Sequence, residues 1–124
     1  MTLTNLLLVL TSVSITALGQ IALKMGTSNP EIRSAMEGAG LADSYWLMLT
    51  SPLVIAGLAA YGVGAMIWLK AISSLDVSQA YPFVALGFVI TMTIGILWLG
   101  EPVLGNRLLG GALIIVGVTL IGLR

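Results

Sequence analysis

Cysteine and histidine are both absent from the 124 residues, and charged side chains make up only 8% of them. The first absence removes disulfides, thiol chemistry, Cys/His metal sites and histidine proton relays together. The scarcity of charge, beside 58% hydrophobic residues and a mean hydropathy of +1.09, lies far from the composition of a soluble domain. Five basic and five acidic residues cancel, so there is no basic surface and no acidic tail, and nucleic acid is set aside as a partner. A cleavable leader would place a basic n-region ahead of a short apolar core. "MTLTNLLLVL" has no basic side chain and its apolar run is too long, so it reads as a retained span. No nucleophile–base pair or metal set can be assembled, and neither an enzyme nor a cofactor is expected.

What the sequence does have is long apolar runs, each near the roughly 20 residues that a helix needs to cross the hydrocarbon core. They predict an all-α membrane protein with a single four-helix transmembrane domain over residues 1–124. The spans fall at about 3–25, 52–72, 77–99 and 107–123, with a surface loop at 26–50. Helices are required because backbone in lipid has no water to bond and four segments cannot close a barrel. In the loop, Asn29 caps a short helix with Pro30 at its first position and Gly38 at its end, and Ile32, Ala35 and Met36 share one face. Ser51-Pro52 is a second cap followed by proline. Tyr45 and Trp46 before it fall at headgroup level, and Asp76 with Gln79 resembles a capping box for the third span.

Alternating helix directions put the N-terminus, the loop near Lys70 and the C-terminus on one side. Lys24, Arg33 and Arg107 fall on the other. With the α-amino group counted, the positive charges are level, so the positive-inside bias hardly chooses an orientation and insertion both ways is permitted.

Ser12, Thr16, Gln20 and Lys24 are spaced by four and form one polar stripe on the first helix. Two readings stand side by side. In one, the stripe bonds neighbouring helices while Lys24 snorkels to the headgroups. In the other it lines a pathway, and the lysine near its end is a point-charge partner for an anionic headgroup, phosphate above all. Glu101 falls on the same side and is either a partner for Lys24 or a solvated carboxylate before a helix-stopping proline. Tyr81-Pro82 offers a hydroxyl at modest depth or a plain kink. Ala56, Ala60 and Gly64, and Gly110 with Gly117, have spacings that let helices approach closely. No acidic residue lies inside any span, so a proton-coupled carboxylate in the bilayer middle has no titrating group.

"GQIALK", "AYPFVALGFV" and "LGEPVLGNRLLGGALIIVGVTLIG" resemble the first, third and fourth helices of the four-helix small multidrug resistance proteins, within the drug/metabolite transporter superfamily. The likeness omits residues 26–50. Within that superfamily the chain most resembles subunits of the aminoarabinose-phosphoundecaprenol flippase, in Gly19-Gln20 with Lys24, in Ala80-Tyr81-Pro82 and in Glu101-Pro102. It also departs from the exporters. Counting back from Gly19, the position of their essential glutamate holds Thr16, and Val84 stands at the place of a tryptophan. Gly110 and Gly117 resemble their dimerisation glycines and are kept. The resemblance therefore implies a dimer, but not drug/proton antiport.

Together these readings predict a flippase-type transporter, in a bacterial inner membrane, for a polyprenyl-phosphate-linked sugar or similar anionic lipid. Lys24 would attract the phosphate. Gln20 and Tyr81 would bond phosphate or sugar, Ser12 and Thr16 would line the path, and Glu101 would hold Lys24 until substrate competes. The partner would be a second copy or a related four-helix subunit, joined through Gly110 and Gly117. Two rivals remain: an exporter of cations or metabolites using Glu101, and a non-transporting subunit that positions a glycosyltransferase.

Overall fold

The computed structural model describes residues 2–38 and 40–123, and every regular element among them is helical. Helix α1 spans Leu3–Thr27. The Thr2 hydroxyl accepts the Asn5 N–H at 3.2 Å to open it. At its other end the Thr27 and Ser28 hydroxyls donate to the carbonyls of Leu23 (2.9 Å) and Lys24 (2.7 Å), filling acceptors that a helix end leaves open. Helix α2, Pro30–Gly38, starts as expected, with the Asn29 side chain accepting the Glu31 N–H at 3.0 Å. Ile32 and Ala35 are buried, whereas Met36 is exposed.

The remaining stretch of the expected surface loop contains a second helix, α3, Leu41–Thr50. Its buried Ser44 donates to the Ala35 carbonyl at 2.8 Å and ties α3 to α2. Tyr45 and Trp46 lie on it, exposed.

Helix α4, Pro52–Ile72, begins at the predicted proline, but the Ser51 hydroxyl makes no cap bond. The third span, Val77–Leu97, is composite. It comprises α5 (Val77–Ala80), a 3-10 turn (Tyr81–Val84) and α6 (Ala85–Leu97). The turn sits at Pro82, which lacks the N–H needed to continue an α-helical ladder. Asp76 occupies the N-cap position without a side-chain bond, so the capping-box expectation is not met; the carboxylate is exposed. Helix α7, Gly105–Gly122, starts two residues ahead of the expected Arg107.

Helices α1 and α4 run antiparallel, with the Ser74 hydroxyl bonded to the Asn5 side chain (3.1 Å) at one end and Gly26 against Val54 at the other. Their backbones nearly touch. A Cβ on Gly57 would lie 2.9 Å from both the Gly19 carbonyl oxygen and the Leu23 nitrogen, so only glycine allows this approach. Buried Ser12 donates to the Gly64 carbonyl at 2.7 Å across the same seam. The small-residue face expected at Ala56, Ala60 and Gly64 is therefore rotated: Gly57 joins Ala60 and Gly64, and Ala56 is exposed. Because Gly57 and Gly64, like Gly19 and Gly26, are seven apart, the close contacts recur every two turns.

Val9, Val13, Ala71, Phe83 and Val118 form a core at the N-terminal end of the bundle. Helix α7 packs chiefly along α6 and the 3-10 turn, through Gly111 against Met92 and Gly122 against Phe83. Most of its length is left open, with Leu109, Leu113 and Leu120 about two-thirds exposed, as suits a surface facing lipid or another subunit.

Candidate functional site

Bordering that core, α1 and the third span form two adjoining open cavities of about 400 and 320 Å³ that share Gln20, Phe88 and Thr91; α4 completes the wall of the larger, and the turn after α6 with the start of α7 that of the smaller. The larger is neutral and aromatic. Tyr61, Ala65 and Trp68 face it from α4, Tyr81, Val84, Phe88 and Thr91 from the third span, and Ser12, Thr16 and Gln20 from α1. The smaller lies toward the α2 end of the bundle and is charged, with Lys24, Glu101 and Arg107 on its walls beside Ile21, Met92 and Leu99.

The polar stripe of α1 thus runs the length of one cleft, but its members differ. Ser12 is committed to the Gly64 carbonyl. The Thr16 hydroxyl donates back into its own helix, to Ser12 (3.1 Å) and Val13 (3.0 Å), with its methyl against Gly64. Both fit the helix-bonding reading of the stripe. Gln20 lies where the cavities meet, exposed to the cleft, and its amide has no hydrogen-bond partner among the described residues. At Thr16, where the sequence resemblance placed an exporter glutamate, the cleft has a hydroxyl already bonded to its own backbone.

Glu101 owes its place to the turn after α6. Gly100 adopts φ +69°, open to glycine without strain, and the Glu101 N–H closes back onto the Gly95 carbonyl at 3.0 Å. This turn folds the glutamate over the end of α6, so that a Cβ at Gly95 would lie 2.5 Å from its Oε2. The carboxylate borders the charged cavity with Lys24 and Arg107, and neither cation comes within the 4.0 Å of an ion pair. The expected Lys24–Glu101 pair is not made: the turn brings Glu101 over the end of α6, with its carboxylate against Gly95.

Arg107 is the member that the sequence reading passed over, counting it only as a charge on one side of the membrane. Its place on the same side as Lys24 and Glu101 was the available signal. The aromatic wall had one too: Tyr61, Ala65 and Trp68 are spaced by four and three, and Tyr81, Val84, Phe88 and Thr91 by three, four and three, each a single helical face. Gly110 and Gly117 lie outside the cleft, partly exposed on α7, and a Cβ at either would meet nothing within 4 Å.

A model of the EamA-like transporter family matches residues 3–123. Among curated proteins, the chain is 33% identical over 93% of its length, and 94% of the relative's, to a Pseudomonas aeruginosa protein named "Probable 4-amino-4-deoxy-L-arabinose-phosphoundecaprenol flippase subunit ArnE". The protein of that name from Pseudomonas savastanoi is 34% identical over 94% of this chain and 95% of its own. An uncharacterized protein of Sinorhizobium fredii is 34% identical over 82% of this chain and 80% of its own. No solved structure matches. With four apolar helices able to cross a bilayer and a family match over nearly its whole length, the chain belongs to the EamA-like transporter family as a multi-pass membrane protein.

Proposed function

We propose that the protein is a subunit of a flippase that moves a polyprenyl-phosphate-linked sugar, or a similar anionic lipid, across a bacterial inner membrane. One observation carries the reading: a single cleft joins a cationic end, bearing Lys24 and Arg107, to a neutral pocket lined by aromatics and polar groups. Phosphate is held by the first kind of surface. A sugar suits the second, since its hydroxyls can bond Gln20 and Tyr81 while its apolar face lies against rings. The names of the relatives support the same substrate class.

Lys24 attracts the phosphate, Gln20 and Tyr81 bond the headgroup, Ser12 and Thr16 border the path, and Glu101 offsets one of the two cationic charges. The lipid tail stays outside, because cavities of this size are at the small end for ligand sites and have no room for a long isoprenoid chain. The working unit is at least a dimer, with a second copy or a related four-helix subunit set against the open Gly110 and Gly117 face of α7.

The test is transport by the full-length protein in vesicles, with lipids labelled on a phosphate-linked headgroup. Headgroups should change leaflet with wild type and should stop doing so with Lys24→Gln, which stays folded and dimeric. Normal transport by Lys24→Gln would make Lys24 a snorkelling anchor and end this mechanism. Movement of organic cations in place of lipid would establish the exporter reading, and movement of neither would establish the scaffold.

A further inference from the structure

Resting on that reading, the geometry points to Arg107 as a second phosphate anchor and to Glu101 as the residue that selects a singly charged phosphodiester over a doubly charged phosphomonoester. Three elements converge on the smaller cavity. Lys24 comes from the last turns of α1, Arg107 from the first turn of α7 and Glu101 from the turn before it. Arg107 and Lys24 are exposed and have no ion-pair partner among the described residues, so neither is committed to holding the fold together. The two cations are chemically unlike. A guanidinium presents a planar fork that can take two phosphate oxygens at once, whereas an ammonium acts as a point charge that tolerates several geometries.

Two cations and one carboxylate leave a single positive charge in the cavity, which a phosphodiester matches. A phosphomonoester, whose second proton leaves near pH 6, brings another negative charge. That charge has no further cation to meet and lies beside Glu101. The turn at Gly100 and the backbone bond from the Glu101 N–H to the Gly95 carbonyl bring the residue over the end of α6, where its carboxylate rests against Gly95 and borders the cavity. A negative group bordering an anion site weakens binding of every anion, and it weakens binding of the dianion most. Repulsion of the wrong ligand is an ordinary route to specificity.

The experiment measures lipid binding to the full-length protein by native mass spectrometry at pH 8. Three probes share the same acyl chains: phosphatidylmethanol (diester), phosphatidic acid (monoester) and diacylglycerol. Wild type should bind phosphatidylmethanol several-fold more tightly than phosphatidic acid, and both more tightly than diacylglycerol. Arg107→Gln should weaken both phosphate lipids about tenfold, the scale of one charge-assisted contact, and Arg107→Lys should recover part of the loss. Glu101→Gln should raise the affinity for phosphatidic acid until the preference disappears. Unchanged binding by Arg107→Gln would overturn the anchor, and a preference that survives Glu101→Gln would overturn the selection. A loss in Arg107→Gln accompanied by loss of helical circular dichroism would be a folding effect; recovery in the helical Arg107→Lys protein then decides for the anchor, and no recovery decides against it. Displacement of bound lipid by equimolar inorganic phosphate would assign the site to free phosphate and overturn the proposal. Wild type that treats all three lipids alike would end the flippase reading itself, an outcome distinct from failure of either variant.

Discussion

Replacing Gly57 by alanine tests the packing that holds the cleft in shape, and Gly62 on the same helix supplies the control. A Cβ at position 57 would meet Leu23 Cγ at 2.8 Å and two backbone atoms at 2.9 Å, whereas one at position 62 meets nothing within 4 Å. Carbon contacts are most favourable near 3.5–4.0 Å, so α1 and α4 must separate by roughly half an ångström or more. The clashing atoms include backbone, so no side-chain rotation relieves the overlap. Overpacking of this kind costs about 1–3 kcal/mol. Both substitutions carry the same gain in helix propensity, about 0.5–1 kcal/mol, which cancels when they are compared. Gly57→Ala should therefore be about 1–3 kcal/mol less stable than Gly62→Ala. Reversible unfolding in mixed micelles, followed by far-ultraviolet circular dichroism as denaturing detergent is added, measures the difference. Equal stabilities within ~0.5 kcal/mol would mean that the α1–α4 seam is not close-packed, and the shape of the cleft argued from it would be wrong.

Replacing Gly110 and Gly117 together by leucine should abolish crosslinking between subunits in membranes while leaving each subunit folded, since neither position touches its own chain; unchanged crosslinking would place the subunit contact elsewhere. Single cysteines at Ser28 and Leu104 should react with an impermeant reagent from one side, and those at Leu75 and Leu123 from the other, in any one inserted orientation. A pair that breaks this pattern would remove the four-span topology. Gly95→Ala should change stability by less than about 1 kcal/mol, because the overlapping carboxylate is the end of a flexible side chain and can move away. It should nevertheless shift the phosphate preference in the direction of Glu101→Gln, and lipid binding identical to wild type would show that the resting place of Glu101 is unimportant.

The four spans were legible because hydropathy in lipid is a constraint on every residue of a segment, and errors at single positions average out. Boundaries set by proline or a capping amide, at Pro52 and at Asn29-Pro30, were also legible. Helix α3 was not, because the contact that holds it to α2, Ser44 on the Ala35 carbonyl, joins residues that local periodicity does not relate. The caps at Ser51 and Asp76 show the opposite limit: the residue type marks where a helix starts, but whether its side chain turns inward is settled by surroundings. All six residues read as substrate-binding candidates border the cleft; the four on α1 do so because a stripe at four-residue spacing fixes which face they share. Which of them are free to meet a ligand depended on α4, and α4 gave no sequence signal that Gly64 would accept the Ser12 hydroxyl. The pairing of Lys24 with Glu101 failed for a related reason: two charges on one side of the membrane are near each other, but a backbone turn set where Glu101 leaves the chain, over the end of α6.

The depth of the cleft sets the width of the dielectric barrier that a charged headgroup faces. From Lys24 to Ser12 the lined stretch of α1 covers twelve residues, about 18 Å at 1.5 Å per residue. The hydrocarbon layer is roughly 30 Å thick. About 12 Å is then left beyond Ser12, where the core around Val9 and Val118 closes the bundle. A phosphate entering from the Lys24 side would thus cross more than half the bilayer before losing contact with polar groups. The subunit by itself is a well closed at the bottom, and it becomes a passage only if that core is displaced or if a second subunit, inserted the other way up, brings its own well to meet it.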